Sequence, residues 1–165
     1  MFTGETMNNK LQLSNNKTLK LSNVLMMEID LGTESDNDFN KQILKMENYI
    51  KSKGAMPIGP LIQKTEYSIN EEGQLAIKIY LMRQSNNYIN HLEEPYKMES
   101  IIRVKDCMYV RYTGPENKLK FAYDKINLTA FEEDIELSNE NYTIFVNQID
   151  EDIVADVFVE KIRNE

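Results

Sequence analysis

The apolar residues of this chain arrive in short alternating runs, interrupted twice by a stretch of helical spacing. Val24-Leu-Met-Met-Glu-Ile29 lies between the polar pair Ser22 and Asn23 and Gly32, which predicts a buried strand. Ser35-Asp36-Asn37-Asp38 then offers side-chain oxygens to the orphan backbone N–H groups of a helix start. Phe39, Ile43, Met46 and Ile50 follow at helical spacing, with Lys41, Lys45 and Glu47 outward. Lys51, Lys53 and Gly54 close that helix, because cations complement its dipole and glycine supplies the left-handed cap. Pro57 and Pro60 mark a turn or a sheet edge. Residues 61–69 and 75–82 read as strands joined by the loop Asn70-Glu-Glu-Gly73. In the second of them Leu75, Ile77, Ile79 and Leu81 face one way, Lys78 and Tyr80 the other.

The second half repeats the order. Strands are predicted at 98–104 and 107–113, linked by Lys105-Asp106, and Gly114-Pro115 opens a helix whose inward stripe is Leu119, Ala122, Ile126 and Ala130. Ser138-Asn-Glu-Asn141 breaks the pattern before a last hairpin, 142–147 and 153–162, turned by Asp150-Glu-Asp152. The closing strands, Leu75-Ala-Ile-Lys-Ile-Tyr-Leu81 and Ile153-Val-Ala-Asp-Val-Phe-Val159, are apolar at the same alternate positions. The expected fold is therefore α+β: a duplicated β-α-β-β unit forming an antiparallel sheet with two helices on one face, and a central cleft between pseudo-symmetric halves. Residues 19–165 are expected to form a single domain, with halves at about 19–83 and 98–165 and a polar connector at 84–97. Residues 1–18, rich in Asn, Thr and Lys, read as a flexible leader without the apolar segment of a secretory signal.

Composition changes the picture by exclusion. A net charge of −8 argues against nucleic acid, which demands clustered Lys and Arg. No apolar run is long enough to cross a membrane as a helix, and Cys107 as the one cysteine fits a reducing compartment, so a cytoplasmic location is expected. Catalytic groups are scarce. His91, the one histidine, lies in the polar connector and could approach Cys107 only through the fold, a nucleophilic pair needs a third orienting group, and Cys107 reads as a small buried hydrophobe. One His and one Cys cannot furnish a transition-metal set. Asp36-x-Asp38 and Asp150-Glu-Asp152 lack the glycine and distal glutamate of a calcium loop, and the glycines form no phosphate-cradling pattern. No catalytic residue, metal or cofactor is expected. Nine Tyr, six Phe and nine Met are the suggestive feature, because aromatics on a strand face can line an adaptable amphipathic surface. The candidate binding residues are Tyr67, Tyr80, Tyr109, Thr143 and Phe158.

Met108-Tyr-Val-Arg-Tyr-Thr-Gly-Pro115, the helix after it, and the terminal strand with Val157-Phe-Val159 resemble the GyrI-like superfamily, the bacterial effector-binding domain. The resemblance covers most of residues 20–162. It implies a ligand cleft between two halves that holds hydrophobic, often cationic molecules, with hydrolysis in some members. The family commonly places a glutamate in the strand of the last hairpin, and the matching position here is Thr143. The absence of that carboxylate argues against cation recognition and hydrolysis. By length and composition the chain also resembles the EsaE-type cytosolic chaperones of Gram-positive type VII secretion and toxin loci. That resemblance implies a non-enzymatic adaptor whose partners are a secreted client, such as a nuclease toxin, and the secretion machinery. The alternative is a small-molecule sensor of the GyrI-like class, with a small hydrolase last.

Overall fold

The computed structural model describes residues 11–29 and 39–162. Among the described residues the chain is α+β, with six antiparallel strands and two α-helices. In order they are β1 (Gln12–Ile29), α1 (Phe39–Ser52), β2 (Pro57–Ile69), β3 (Leu75–Ser85), β4 (Lys97–Pro115), a 3-10 turn (Glu116–Lys118), α2 (Lys120–Glu132), β5 (Glu136–Ile149) and β6 (Asp152–Ile162). Two compact units result. The first is Lys20–Arg103; the second joins the residues up to Leu19 to Val104–Glu165.

In the first unit β3 lies between β1 and β2, with Met27 opposite Leu81 and Tyr67 opposite Ile77. Alternation sends Leu25, Met27, Ile29 and Leu81 to one side, where they pack on Met46 and Ile50 of α1. The helix is the one its spacing predicts. Gly54 follows it at φ 80, the left-handed geometry that lets its N–H reach the Lys51 carbonyl at 3.0 Å. The predicted cap at Ser35 to Asp38 and the glycine at Gly32 lie outside the described residues.

In the second unit β6 lies between β4 and β5, with Val110 opposite Val157 and Thr143 opposite Val157 on its other side. Met108, Val110, Ala155, Val157 and Val159 pack on Ala122, Ile126 and Ala130 of α2. Each unit thus runs strand, helix, strand, strand, and in each the last strand is the central one.

Four predicted boundaries need correction. Residues 12–18 belong to β1 and not to a leader: Lys161 Nζ on β6 donates to Asn16 Oδ1 at 2.9 Å, and Leu11 and Leu13 join the core beside α2. Asparagine-rich composition does not reveal this, because the packing supplies what strand propensity lacks. The strands expected at 98–104 and 107–113 are one strand, β4, since Asp106 takes φ 55 within it, a conformation Asp tolerates. Ser138-Asn-Glu-Asn141 is inside β5, absorbed by a shift of register between Leu137 and Asn141. The prolines 57 and 60 likewise lie inside β2, beside a register shift between Ile58 and Ile62. The connector carries its own fastening: Tyr49 stacks on Tyr96 at 4.2 Å, and Glu93 accepts from Tyr49 Oη at 2.7 Å and Lys53 Nζ at 2.6 Å.

Candidate functional site

The strand register of the second unit sorts its side chains into two faces. Val110 and Thr143 flank Val157 in register, and all three turn toward α2. The residues beside them turn the other way: Tyr109, Phe158 and Tyr142 form one row, and Arg111, Asp156 and Ile144 the next. The Tyr109 and Phe158 rings meet with centroids 4.9 Å apart and a tilt of 40°. Phe158 and Tyr142 are buried, Tyr109 is half-buried, and Arg111 is exposed.

Asp156 is the hub of this face. One oxygen accepts from Tyr109 Oη at 2.7 Å and Arg111 Nε at 2.7 Å; the other accepts from Arg111 Nη2 at 2.9 Å. A bidentate guanidinium–carboxylate pair is both strong and geometrically specific. Burial, reinforced by the neighbouring Asp156 carboxylate, pushes the Tyr109 phenol up to about 12. The hydrogen bonds and charge of the same carboxylate hold the Arg111 guanidinium above its ordinary value. Lys17 places its ammonium 5.7 Å from the centre of the Tyr109 ring. Of these rings only Tyr109 is partly open, beside a carboxylate whose charge is already matched. A cationic ligand would have to compete with Arg111 for it.

The five sequence-predicted residues do not form one cluster. Tyr109 and Phe158 touch. Thr143 is buried on the opposite face, hydrogen-bonded to Tyr123 of α2. Tyr80 belongs to the first unit, on the face of β3 turned from α1, between Glu28 and Lys64 in register, with the Lys64 ammonium 5.5 Å from its ring. Burial first, then Glu66 and Glu28, raises the Tyr80 phenol above its ordinary value. Tyr67 is at the far end of the β2–β3 hairpin and exposed. Arg111 and Asp156 join the site only through the register. The signal for them in the sequence is parity: Tyr109 and Arg111, and Asp156 and Phe158, are two residues apart on paired strands.

Other groups are placed as follows. Cys107 is buried, donates to the Val104 carbonyl at 3.4 Å, and has its thiol pushed up to about 11 by burial, which keeps it a thiol. His91 is exposed. A pocket of about 220 Å³ opens where β4 meets the 3-10 turn, lined by Leu11, Tyr112, Gly114, Lys118, Phe121 and Asp152. Among the described residues no helix is long and apolar enough to cross a membrane.

Comparison with solved structures bears on the fold. The C-terminal domain of EcmrR superposes with a TM-score of 0.66 at 16% identity, covering 92% of this chain and 99% of that domain. The α+β architecture of six antiparallel strands and two helices among the described residues is consistent with a GyrI-like fold. EcmrR in an EcmrR–DNA complex gives a TM-score of 0.69 at 15% identity over 93% of this chain, which spans 59% of that chain. An uncharacterized conserved protein from Listeria innocua gives 0.59 at 9% identity, with 98% of both chains covered. At such identities the likeness is one of fold alone. No family model and no curated protein matches the sequence.

Proposed function

We propose that this chain is a non-enzymatic binding protein of the GyrI-like class, serving as a cytosolic adaptor that holds a segment of a secreted polypeptide client. The observation that carries the reading is the Tyr109–Phe158 face with its Arg111–Asp156 pair. A matched ion pair beside aromatic rings suits an apolar, hydrogen-bonding segment better than a lone cation. The high phenol of Tyr109 and the thiol of Cys107 are poor bases and nucleophiles near neutral pH, which favours binding over turnover. The type VII toxin loci to which the sequence resemblance points would supply such a client. Affinity purification from native cells, read by mass spectrometry, tests the proposal. A stoichiometric polypeptide partner lost on Tyr109→Ala is expected; recovery as a free monomer alone would sink it.

The pocket beside Gly114 favours a second reading, in which a small apolar ligand is bound. Thermal-shift screening separates the two, because a ligand at a hundredfold its Kd adds about 2.7 kcal/mol of stability.

A further inference from the structure

The core of the first unit continues past its cover at the far end of the β2–β3 hairpin. Tyr67 stands opposite Ile77 and Ile69 opposite Leu75, and all four lie on the face of Ile79 and Leu81, which face α1. Yet all four are exposed, Ile69 to 67% and Leu75 to 62%. Two adjacent strands thus present four large apolar side chains as one contiguous patch, a mark of an interaction site. The backbone beneath it is fixed. Asn70 Oδ1 accepts from the N–H groups of Glu72 and Gln74, both at 2.9 Å, and Gly73 turns the loop at φ 79.

The charge around the patch selects its occupant. Between Tyr67 and Ile77 the charged residues are Glu71 and Glu72, at the tip, and just beyond them Glu66 and Lys78 stand opposite one another and offset each other. A second copy would set these glutamates against their counterparts and one net charge of −8 against another. A basic amphipathic helix meets both demands. Its apolar stripe, recurring every three to four residues, matches rows about 5 Å apart across the strands and about 7 Å along them, while flanking Lys or Arg reach the glutamates. We infer that the Tyr67–Ile69–Leu75–Ile77 face docks a basic amphipathic helix of a partner protein. This surface is distinct from the Tyr109 face and does not depend on it.

The test uses two labelled synthetic helices, one with leucines at helical spacing among lysines and one with glutamates in their place. Fluorescence anisotropy with the whole chain should give binding of the lysine peptide at least about tenfold tighter than of the glutamate peptide. The double variant Ile69→Ser/Leu75→Ser should weaken the lysine peptide by about tenfold or more, with an unchanged melting curve, because both positions are exposed. Glu71→Gln/Glu72→Gln should weaken it by about threefold in low salt and flatten its salt dependence. Equal binding of the two peptides, indifference to the serine pair, or a concentration-dependent dimer in sedimentation would each overturn the inference. A lysine peptide lost on Tyr109→Ala but not on the serine pair would overturn it while leaving the adaptor reading intact.

Discussion

Leu75 to Leu81 and Ile153 to Val159 are written in the same alternation, and the structure treats them differently. Each is the central strand of its unit and each turns its odd-numbered residues toward a helix. In the second unit that row is sealed along its length: Ile153 is 5% exposed and Ala155 and Val157 not at all. In the first unit only Leu81 is sealed, and Leu75 and Ile77 stand out. The difference lies in the cover. In the second unit Leu11, Leu13, Leu119 and Phe145 pack with α2 on a core that includes Ile153 and Ala155; in the first, Ile43, Tyr49, Leu61 and Leu92 pack on a core that leaves Leu75 and Ile77 outside it. Alternation decides which side of a strand is apolar. What lies against that side is a property of the neighbours.

The sharpest way to break this comparison is to truncate the two matched residues. Ile153→Ala removes a buried side chain and leaves a cavity, so a loss of about 2–4 kcal/mol is expected. Leu75→Ala removes one already in water and should cost less than about 0.5 kcal/mol. Urea unfolding of the two variants measures both. Similar losses would mean that the hairpin tip is buried in solution by something bound to it.

A second contrast is expected at two glycines. A Cβ on Gly114, at φ 155, would lie 2.7 Å from Tyr112 Oη, and that phenol is tied to the Pro115 carbonyl at 2.5 Å and cannot easily retreat. A Cβ on Gly59, at φ 73, would meet only the end of Gln84, Nε2 at 3.2 Å. Gly114→Ala should therefore cost about 2–3 kcal/mol through overpacking and Gly59→Ala about 1 kcal/mol through backbone strain. Thermal melts in parallel decide it; equal shifts would mean that Tyr112 moves freely.

Much of the scaffold is legible in the sequence. The spacing of Phe39, Ile43, Met46 and Ile50 encodes a complete helical stripe, and the hairpin turns carry their Gly and Asp signals locally. The features that escape a sequence reading are those that register decides. Thr143 is expected beside Phe158, but the pairing across β5 puts Tyr142 there and turns Thr143 to the helix. The shift between Leu137 and Asn141 sets that parity, and a single residue of slip exchanges the faces. Residues 12–18 escape for the converse reason: their strand is stabilised from outside by contacts such as Lys161 to Asn16, which composition does not record. Arg111 is hidden in a third way, because a charged residue in a strand reads as solvated until its partner across the ladder is known.

The smallest effect distinguishes two tyrosines on strand faces turned from the helices, Tyr109 on β4 and Tyr80 on β3. Both phenols are raised, Tyr109 to about 12 by burial and then Asp156, Tyr80 by burial and then Glu66 and Glu28. A tyrosine raised on folding contributes its stability in full below its unfolded value of about 10, because both states are then protonated. Above that pH the unfolded chain ionises first, so the contribution falls as pH rises and is gone once the folded phenol itself titrates near 12. Ultraviolet titration of the folded protein should show a late phenol that disappears in Tyr109→Phe. In Asp156→Asn it should titrate earlier but still above the ordinary range, because burial, the larger cause, remains. The raised phenol of Tyr80 should be untouched by either change. If the late phenol survives Tyr109→Phe, the Asp156 hub does not hold that proton and the contrast between the two faces fails.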